Sequence, residues 1–177
     1  MSLEEKLKNI IRDVPDFPKE GIVFKDLTTV LLDVELTREV VQAMAARVVD
    51  KPDAIAGIES RGFWFGTLLA QELSVPFIPL RKVGKLPGET DQVHYDLEYG
   101  RASIEVHKGH VQKNWKVLIH DDLLATGGTA LAAAELIEKQ GAEVHSFSFL
   151  VELSFLDAKK QFTKAYPHLA LQSIISF

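Results

Sequence analysis

Apolar positions change their spacing along this chain, and each change of period predicts an element. Leu3, Leu7, Ile10 and Ile11 fall at helical spacing, so Ser2 to Asp13 predicts an amphipathic helix with Ser2 and Glu5 as a capping-box pair. Two prolines and a glycine make residues 14–21 an ordered loop. Ile22-Val23-Phe24 is a short apolar run ahead of Lys25 and Asp26. Thr37 predicts the cap of a second helix, with Val40, Val41, Met44, Ala45 and Val48 along one face and Pro52 and Asp53 at its end. Ala54–Ile58, Pro76–Leu80 and the run from Val117 are continuously apolar, the pattern of strands buried on both faces. Phe63 to Leu73 reads as a largely buried helix between the first two. Ala102 to His107 alternates, as in a strand with one wet face. Thr129 to Gln140 predicts a helix stopped by Gly141, followed by a strand over 144–153, a short helix over 154–162 and a last strand over 169–177.

Strands alternating with helices predict an α/β fold with a mostly parallel central sheet flanked by helices. In such sheets ligands bind beyond the carboxyl ends of the strands. Three strand exits here are polar: Glu59-Ser60-Arg61-Gly62, Arg81-Lys82, and Asp121 through Thr129. They should share one edge. From Lys82 to Gly100 no periodicity holds, and Val83 to Glu89 is rich in breakers. A stretch of that kind inside a compact domain predicts a functional lid.

The third exit organises the rest. An apolar strand runs into Asp121 and Asp122, then into Ala125-Thr126-Gly127-Gly128-Thr129, then into a helical pattern. Backbone N–H groups of such a loop and the start of a helix form an anion cradle. Carboxylates beside a phosphate would repel it, unless the ligand carries hydroxyls next to its phosphate, because an ionised carboxylate only accepts hydrogen bonds. A ribose 5-phosphate satisfies both demands, with its phosphate in the loop and its hydroxyls on the acid pair.

Composition narrows the classes. A chain of 177 residues, 46% apolar and 25% charged, is one domain with room for a core. The net charge of −5 gives no global attraction to nucleic acid, so an anionic substrate must be held by local groups. The absence of cysteine removes disulfides and thiolate metal sites and fits a cytoplasmic protein. The charged N-terminal segment is no signal peptide, and no apolar run approaches the roughly 20 residues that span a bilayer. His107 and His110 are close in sequence, but no further ligand completes a metal pair, and both read as surface residues.

Asp121-Asp122-Leu123-Leu124-Ala125-Thr126-Gly127-Gly128-Thr129 resembles the phosphoribosyl-pyrophosphate motif of type I phosphoribosyltransferases, and its Leu-Leu-Ala-Thr version resembles the adenine-specific family among them. Pro15-Asp16-Phe17-Pro18, Gly21 to Asp26, Ser60-Arg61-Gly62-Phe63, Arg81 to Gly88 and Leu97-Glu98-Tyr99-Gly100 match in order, so the likeness spans nearly the whole chain. His120 departs from the pattern. The resemblance implies a Rossmann-like type I fold, an N-terminal hood within residues 1–35 and a flexible lid over 82–100. It implies that adenine and phosphoribosyl pyrophosphate give AMP and pyrophosphate, with Mg2+ held mainly by substrate oxygens and water.

In residue terms, Ala125, Thr126, Gly127, Gly128 and Thr129 would take the 5-phosphate. Ser60, Arg61, Arg81, Lys82 and Lys85 would take the pyrophosphate, where arginine suits bidentate contacts. Asp121 and Asp122 would fix the ribose and stabilise its developing positive charge. Val23, Phe24, Lys25 and Leu123 would hold the base, and Glu98 would exchange a proton with it. A homodimer is also implied. The alternative is a phosphoribosyltransferase for hypoxanthine, guanine or xanthine, which would use a lysine near the C-terminal part; Lys159, Lys160 and Lys164 sit in no matching motif. A ligand-sensing regulator that binds DNA is disfavoured by the acidic charge and the absence of an added binding segment.

Overall fold

The computed structural model describes residues 1–97 and 100–177. Five strands run parallel: β3 (Ala54–Ile58), β4 (Phe77–Lys82), β7 (Lys116–Leu124), β8 (Glu143–Glu152) and β9 (Ala170–Ser176). A hairpin of β5 (Thr90–Leu97) and β6 (Gly100–His107) joins them through an antiparallel β6–β4 pair, so the sheet order is β5-β6-β4-β3-β7-β8-β9. β1 (Arg12–Pro15) and β2 (Val23–Asp26) form a separate two-stranded sheet. The helices are α1 (Leu3–Ile10), α2 (Thr28–Leu31), α3 (Val34–Ala46), α4 (Gly62–Leu73), α5 (Gly128–Lys139) and α6 (Lys159–Ala165), with a 3-10 turn at Ser154–Leu156.

The central strands are buried on both faces, as their apolar runs require. Ala54, Ala56, Val117 and Ile119 enter one core with α5 and Phe162, whereas Ile55 and Leu118 enter a second core with Leu7, Val40, Met44, Phe65 and Leu69. Ala130, Ala132, Ala133 and Ala134 let α5 lie close on the sheet.

Local chemistry moved several boundaries. The first helix stops at Ile10, and Arg12 and Asp13, expected inside it, pair instead with Asp26 and Lys25 across β1–β2. Both pairs are ion pairs of 2.6 Å, so opposite charges match in register along this ribbon. Asp33, not Thr37, caps α3 by accepting from the Leu36 N–H at 3.0 Å; Thr37 donates back to the Val30 carbonyl at 2.9 Å. Arg81 and Lys82, expected beyond the strand, extend β4 because β6 pairs with them. The stretch expected to be structureless over 82–100 contains β5, whose eight residues pair with β6. Its polar alternation was masked by breakers on its N-terminal side. Glu105, on the expected wet face of β6, is only 3% exposed.

Close approach on the α4 face depends on two glycines. The Phe77 ring lies over both: a Cβ at Gly57 would stand 2.4 Å from Phe77 Cζ and 3.2 Å from the Gly62 carbonyl oxygen, and one at Gly66 would stand 2.9 Å from Phe77 Cε2. Phe63 packs edge-on against the same ring at 5.7 Å. His120 fills the adjacent space, fully buried, with neither ring nitrogen finding a hydrogen-bond partner among the described residues. Burial lowers its pKa from 6.5 to about 4, only slightly opposed by the Ser148 backbone.

Two outcomes follow from this packing. Gly57→Ala should destabilise the fold by about 1–3 kcal/mol in urea unfolding, because ring and carbonyl leave no room. Gly57→Ala combined with Phe77→Leu should recover part of that loss, and no recovery would show that the ring is not the obstacle. For His120 the unfolded chain binds the proton near pH 6.5 and the folded chain only near pH 4. The stability it contributes is therefore complete above pH 6.5 and is lost as pH drops toward 4, a loss of roughly 3 kcal/mol by the bottom of that window. His120→Leu should flatten the stability profile between those limits relative to the native chain; an unchanged slope would contradict a neutral buried imidazole.

Candidate active site

β7 carries its acid pair inside the strand, not in the following loop. Asp121 pairs with Phe149 and Leu123 with Val151 in the parallel β8 register. The chain then turns through residues 125–127, and α5 begins at Gly128, one residue ahead of the predicted start. Gly127 is the N-cap at φ 91°, and a Cβ there would lie 2.7 Å from Phe162 Cε2. Conformation and space both demand glycine. Phe162 is itself held by Phe147 at 4.7 Å. The result is a cavity of about 80 Å³ at the helix start, lined by Asp121, Ala125, Thr126, Gly127, Gly128 and Thr129 among others. At roughly 10–15 Å³ of such space per water, it has room for a compact oxyanion facing the α5 N-terminus.

The acid pair is poorly solvated. Asp122 is 2% exposed, and Arg61 Nε approaches its Oδ2 at 2.9 Å, outside hydrogen-bond geometry. Asp121 Oδ1 accepts from the Asp122 N–H at 2.9 Å. Burial drives the Asp121 carboxyl well above the ordinary carboxylate range, and the neighbouring Asp122 charge adds to it. Burial also raises Asp122, against the pull of Arg61. Donors or cations brought to this pair would favour its ionised form. Gly62 permits the approach of α4: a Cβ there would stand 2.9 Å from the His120 carbonyl oxygen and 3.0 Å from Asp121 Oδ1.

Ser60 and Arg61 lie between β3 and α4, and the Glu59–Ser60 peptide is cis. Arg61 also reaches the two-stranded sheet, its Cζ 4.9 Å over the Phe24 ring. Phe24 packs edge-on to Phe17 at 5.1 Å. Val23 is exposed, and Leu123 is partly buried against the second core. The Lys25 ammonium is occupied, 2.6 Å from Asp13 and 3.8 Å over the Phe177 ring. Arg61 thus ties Phe24 to Asp122.

The cationic exit is built around carboxylates that the sequence did not single out. Glu59 Oε2 accepts from Arg81 Nε at 3.1 Å and from the Lys82 N–H at 2.9 Å. Lys82 and Lys85 are exposed and form no ion pair among the described residues. Glu59 was findable, since it occupies the same strand exit as Arg61. Glu105 was not, because its burial is created by a turn distant in sequence. Glu98 lies outside the described residues. Among the described residues no group of three or more His, Cys, Asp or Glu side chains is placed to hold a metal, and no helix is long and apolar enough to cross a membrane.

The family model described as "Phosphoribosyl transferase domain" matches residues 30–167. The chain is 48% identical over 177 residues to the adenine phosphoribosyltransferase of Cytophaga hutchinsonii, covering 99% of this chain and 96% of that one. Its fold superposes on the crystal structure of adenine phosphoribosyltransferase from Thermoanaerobacter pseudethanolicus with a TM-score of 0.93 at 46% identity, over 99% of this chain and 100% of the other. The Saccharomyces cerevisiae enzyme, solved with an imino-altritol bisphosphate and adenine, matches with a TM-score of 0.89 at 36% identity, over 97% and 98% of the two chains. By family model, identity and fold together, the chain belongs to the phosphoribosyltransferases, and among them to the adenine phosphoribosyltransferase family.

Proposed function

We propose that this protein transfers the 5-phosphoribosyl group of phosphoribosyl pyrophosphate to adenine, giving AMP and pyrophosphate. One observation carries the reading: an acid pair at the end of a buried strand opens directly onto an anion-sized cavity at a helix N-terminus. Ala125 to Thr129 hold the 5-phosphate with backbone N–H groups and two hydroxyls. Asp121 and Asp122 accept from the ribose hydroxyls, whose donors satisfy the desolvated carboxylates. As the bond from the anomeric carbon to pyrophosphate breaks, the two carboxylates stabilise the positive charge on the sugar. Ser60, Arg61, Arg81, Lys82 and Lys85 receive the leaving pyrophosphate.

N9 of adenine forms the new bond while its ring lies against Phe24 and Leu123, with the Val23 and Lys25 backbone at its edge. Stacking on an aromatic face supports base binding by about 1–3 kcal/mol. Glu98 exchanges the proton, a role that rests on the Leu97-Glu98-Tyr99-Gly100 motif. Adenine is favoured over an oxopurine because Lys159, Lys160 and Lys164 sit in no oxopurine motif and the chain is 48% identical to an adenine phosphoribosyltransferase. The Saccharomyces cerevisiae relative was solved with adenine.

Mg2+ fits this donor set as a partner of the substrate. Asp122 Oδ2, ion-paired with Arg61 but without a hydrogen bond among the described residues, and the neighbouring Asp121 offer hard oxygen near the ribose, and Mg2+ retains water and phosphate ligands in preference to a protein cage. When bound, it neutralises charge on the pyrophosphate oxygens. A cytoplasmic homodimer agrees with the family resemblance and the cysteine-free composition, and sedimentation would measure its mass.

Purified protein with Mg2+ and phosphoribosyl pyrophosphate should form nucleotide with adenine and not with hypoxanthine, guanine or xanthine; turnover of oxopurines alone would overturn the assignment. Chelation should abolish turnover, and added Mg2+ should restore it. Asp122→Asn should lower kcat by about 100-fold, since it removes charge stabilisation at the sugar, while the Kd for adenine stays within a few-fold. A native kcat in this variant would remove Asp122 from the charge-stabilising role.

A further inference from the structure

The turn that bears Lys85 is folded around a buried carboxylate with no ion-pair partner among the described residues. Glu105 stands opposite Arg81 on the β4–β6 pair and opposite Gln92 on the β5–β6 pair. Its Oε1 accepts from the backbone N–H groups of Lys85 and Leu86, each at 2.9 Å, and its Oε2 accepts from the Thr90 hydroxyl at 3.0 Å. Burial alone would raise this carboxyl's pKa, but the Leu86 N–H, the Thr90 hydroxyl and the Lys85 N–H outweigh it and hold it below the usual value. The anion is therefore retained at 3% exposure by donors from the turn itself.

The same peptide is gripped from its other side. Arg81 Nη1 donates to the Lys85 carbonyl at 3.3 Å, and Arg81 is held by Glu59. Gly84 at φ 88° and Gly88 at φ 82° let the chain double back between these anchors. The backbone of Lys85 is thus fixed at both polar groups while its ammonium projects to solvent.

We propose that Glu105 is a positioning residue for pyrophosphate recognition: it ties the 82–90 turn to β6 so that Lys82 and Lys85 converge with Arg81 on one oxyanion. This rests on the assignment of that turn to the pyrophosphate half of the substrate. Glu105 touches no substrate and carries no step of the transfer. Its loss leaves the N–H groups of Lys85 and Leu86 without their acceptor and frees the turn, which spreads the cations. The base site at Phe24 is held by other elements and is unaffected.

The test compares Glu105→Leu, Glu105→Gln and Thr90→Val with the native protein. Pyrophosphate binding in the presence of Mg2+ is read by calorimetry, and KM for each substrate by steady-state assay. Glu105→Leu should raise the pyrophosphate Kd and the phosphoribosyl-pyrophosphate KM by about 10-fold, with the adenine KM within twofold. Glu105→Gln, which keeps an acceptor for both N–H groups, should restore most of the affinity. Thr90→Val should shift the same two constants by about threefold and serves if Glu105→Leu does not fold. Unchanged pyrophosphate affinity in folded Glu105→Leu, or in Thr90→Val when Glu105→Leu does not fold, overturns the proposal, as does an equal rise in both KM values. Lys85→Ala separates the two readings. If it binds pyrophosphate normally, the assignment of the turn fails and this proposal falls with it. If it weakens binding while the Glu105 and Thr90 variants do not, only the role of Glu105 is lost.

Discussion

The parallel pairing of β3 with β7 brings together the two strand exits at the centre of the candidate site. Gly57 stands opposite His120 in that register, so the two strands leave the sheet side by side. One carries Glu59, Ser60 and Arg61; the other carries Asp121 and Asp122. Arg61 then has only a short distance to cross to reach Asp122. A slip of one residue would turn each side chain to the other face and separate the two exits. Gly62 and Gly66 serve the same constraint, because α4 can lie against β7 only where side chains are missing.

Four carboxylates divide into two kinds by what surrounds them. Glu59 and Glu105 are saturated with donors from the chain and keep their charge in partly or wholly buried places. They act as internal anchors for a cationic turn. Asp121 and Asp122 are desolvated without enough donors, and burial raises both. A buried anion without partners is costly, so this pair gains most from a ligand that brings hydroxyls or cations. At this sheet edge Glu59 engages Arg81, and Arg61 is shared between Asp122 and the Phe24 ring, while Lys82 and Lys85 form no ion pair among the described residues.

Legibility followed the range of the interactions. β3 was readable because its burial is complete, β7 because it opens on a continuous buried apolar run, and α4 because its buried positions recur at helical spacing; the capping box at Ser2 and Glu5 is a purely local device present as expected. The cap of α3 was misassigned because Thr37 and Asp33 are both competent, and only the packing of α2 against α3 decides between them. Arg12 and Asp13 continue a helical pattern in sequence, yet their charge partners lie 12 to 14 residues away on β2. β5 was missed because its partner strand supplies half of the evidence for it.

The acid pair, the glycine loop, the strand–helix alternation and the cationic residues are legible from residue order alone, since each depends on residue type at short spacing. Tertiary structure decided which of these groups meet. It joined Arg61 to Phe24 and Asp122, buried the His120 ring completely, and turned Glu105 inward as the anchor of a turn. Those outcomes depend on how neighbouring elements remove water from a side chain, and desolvation is a property of the packed chain.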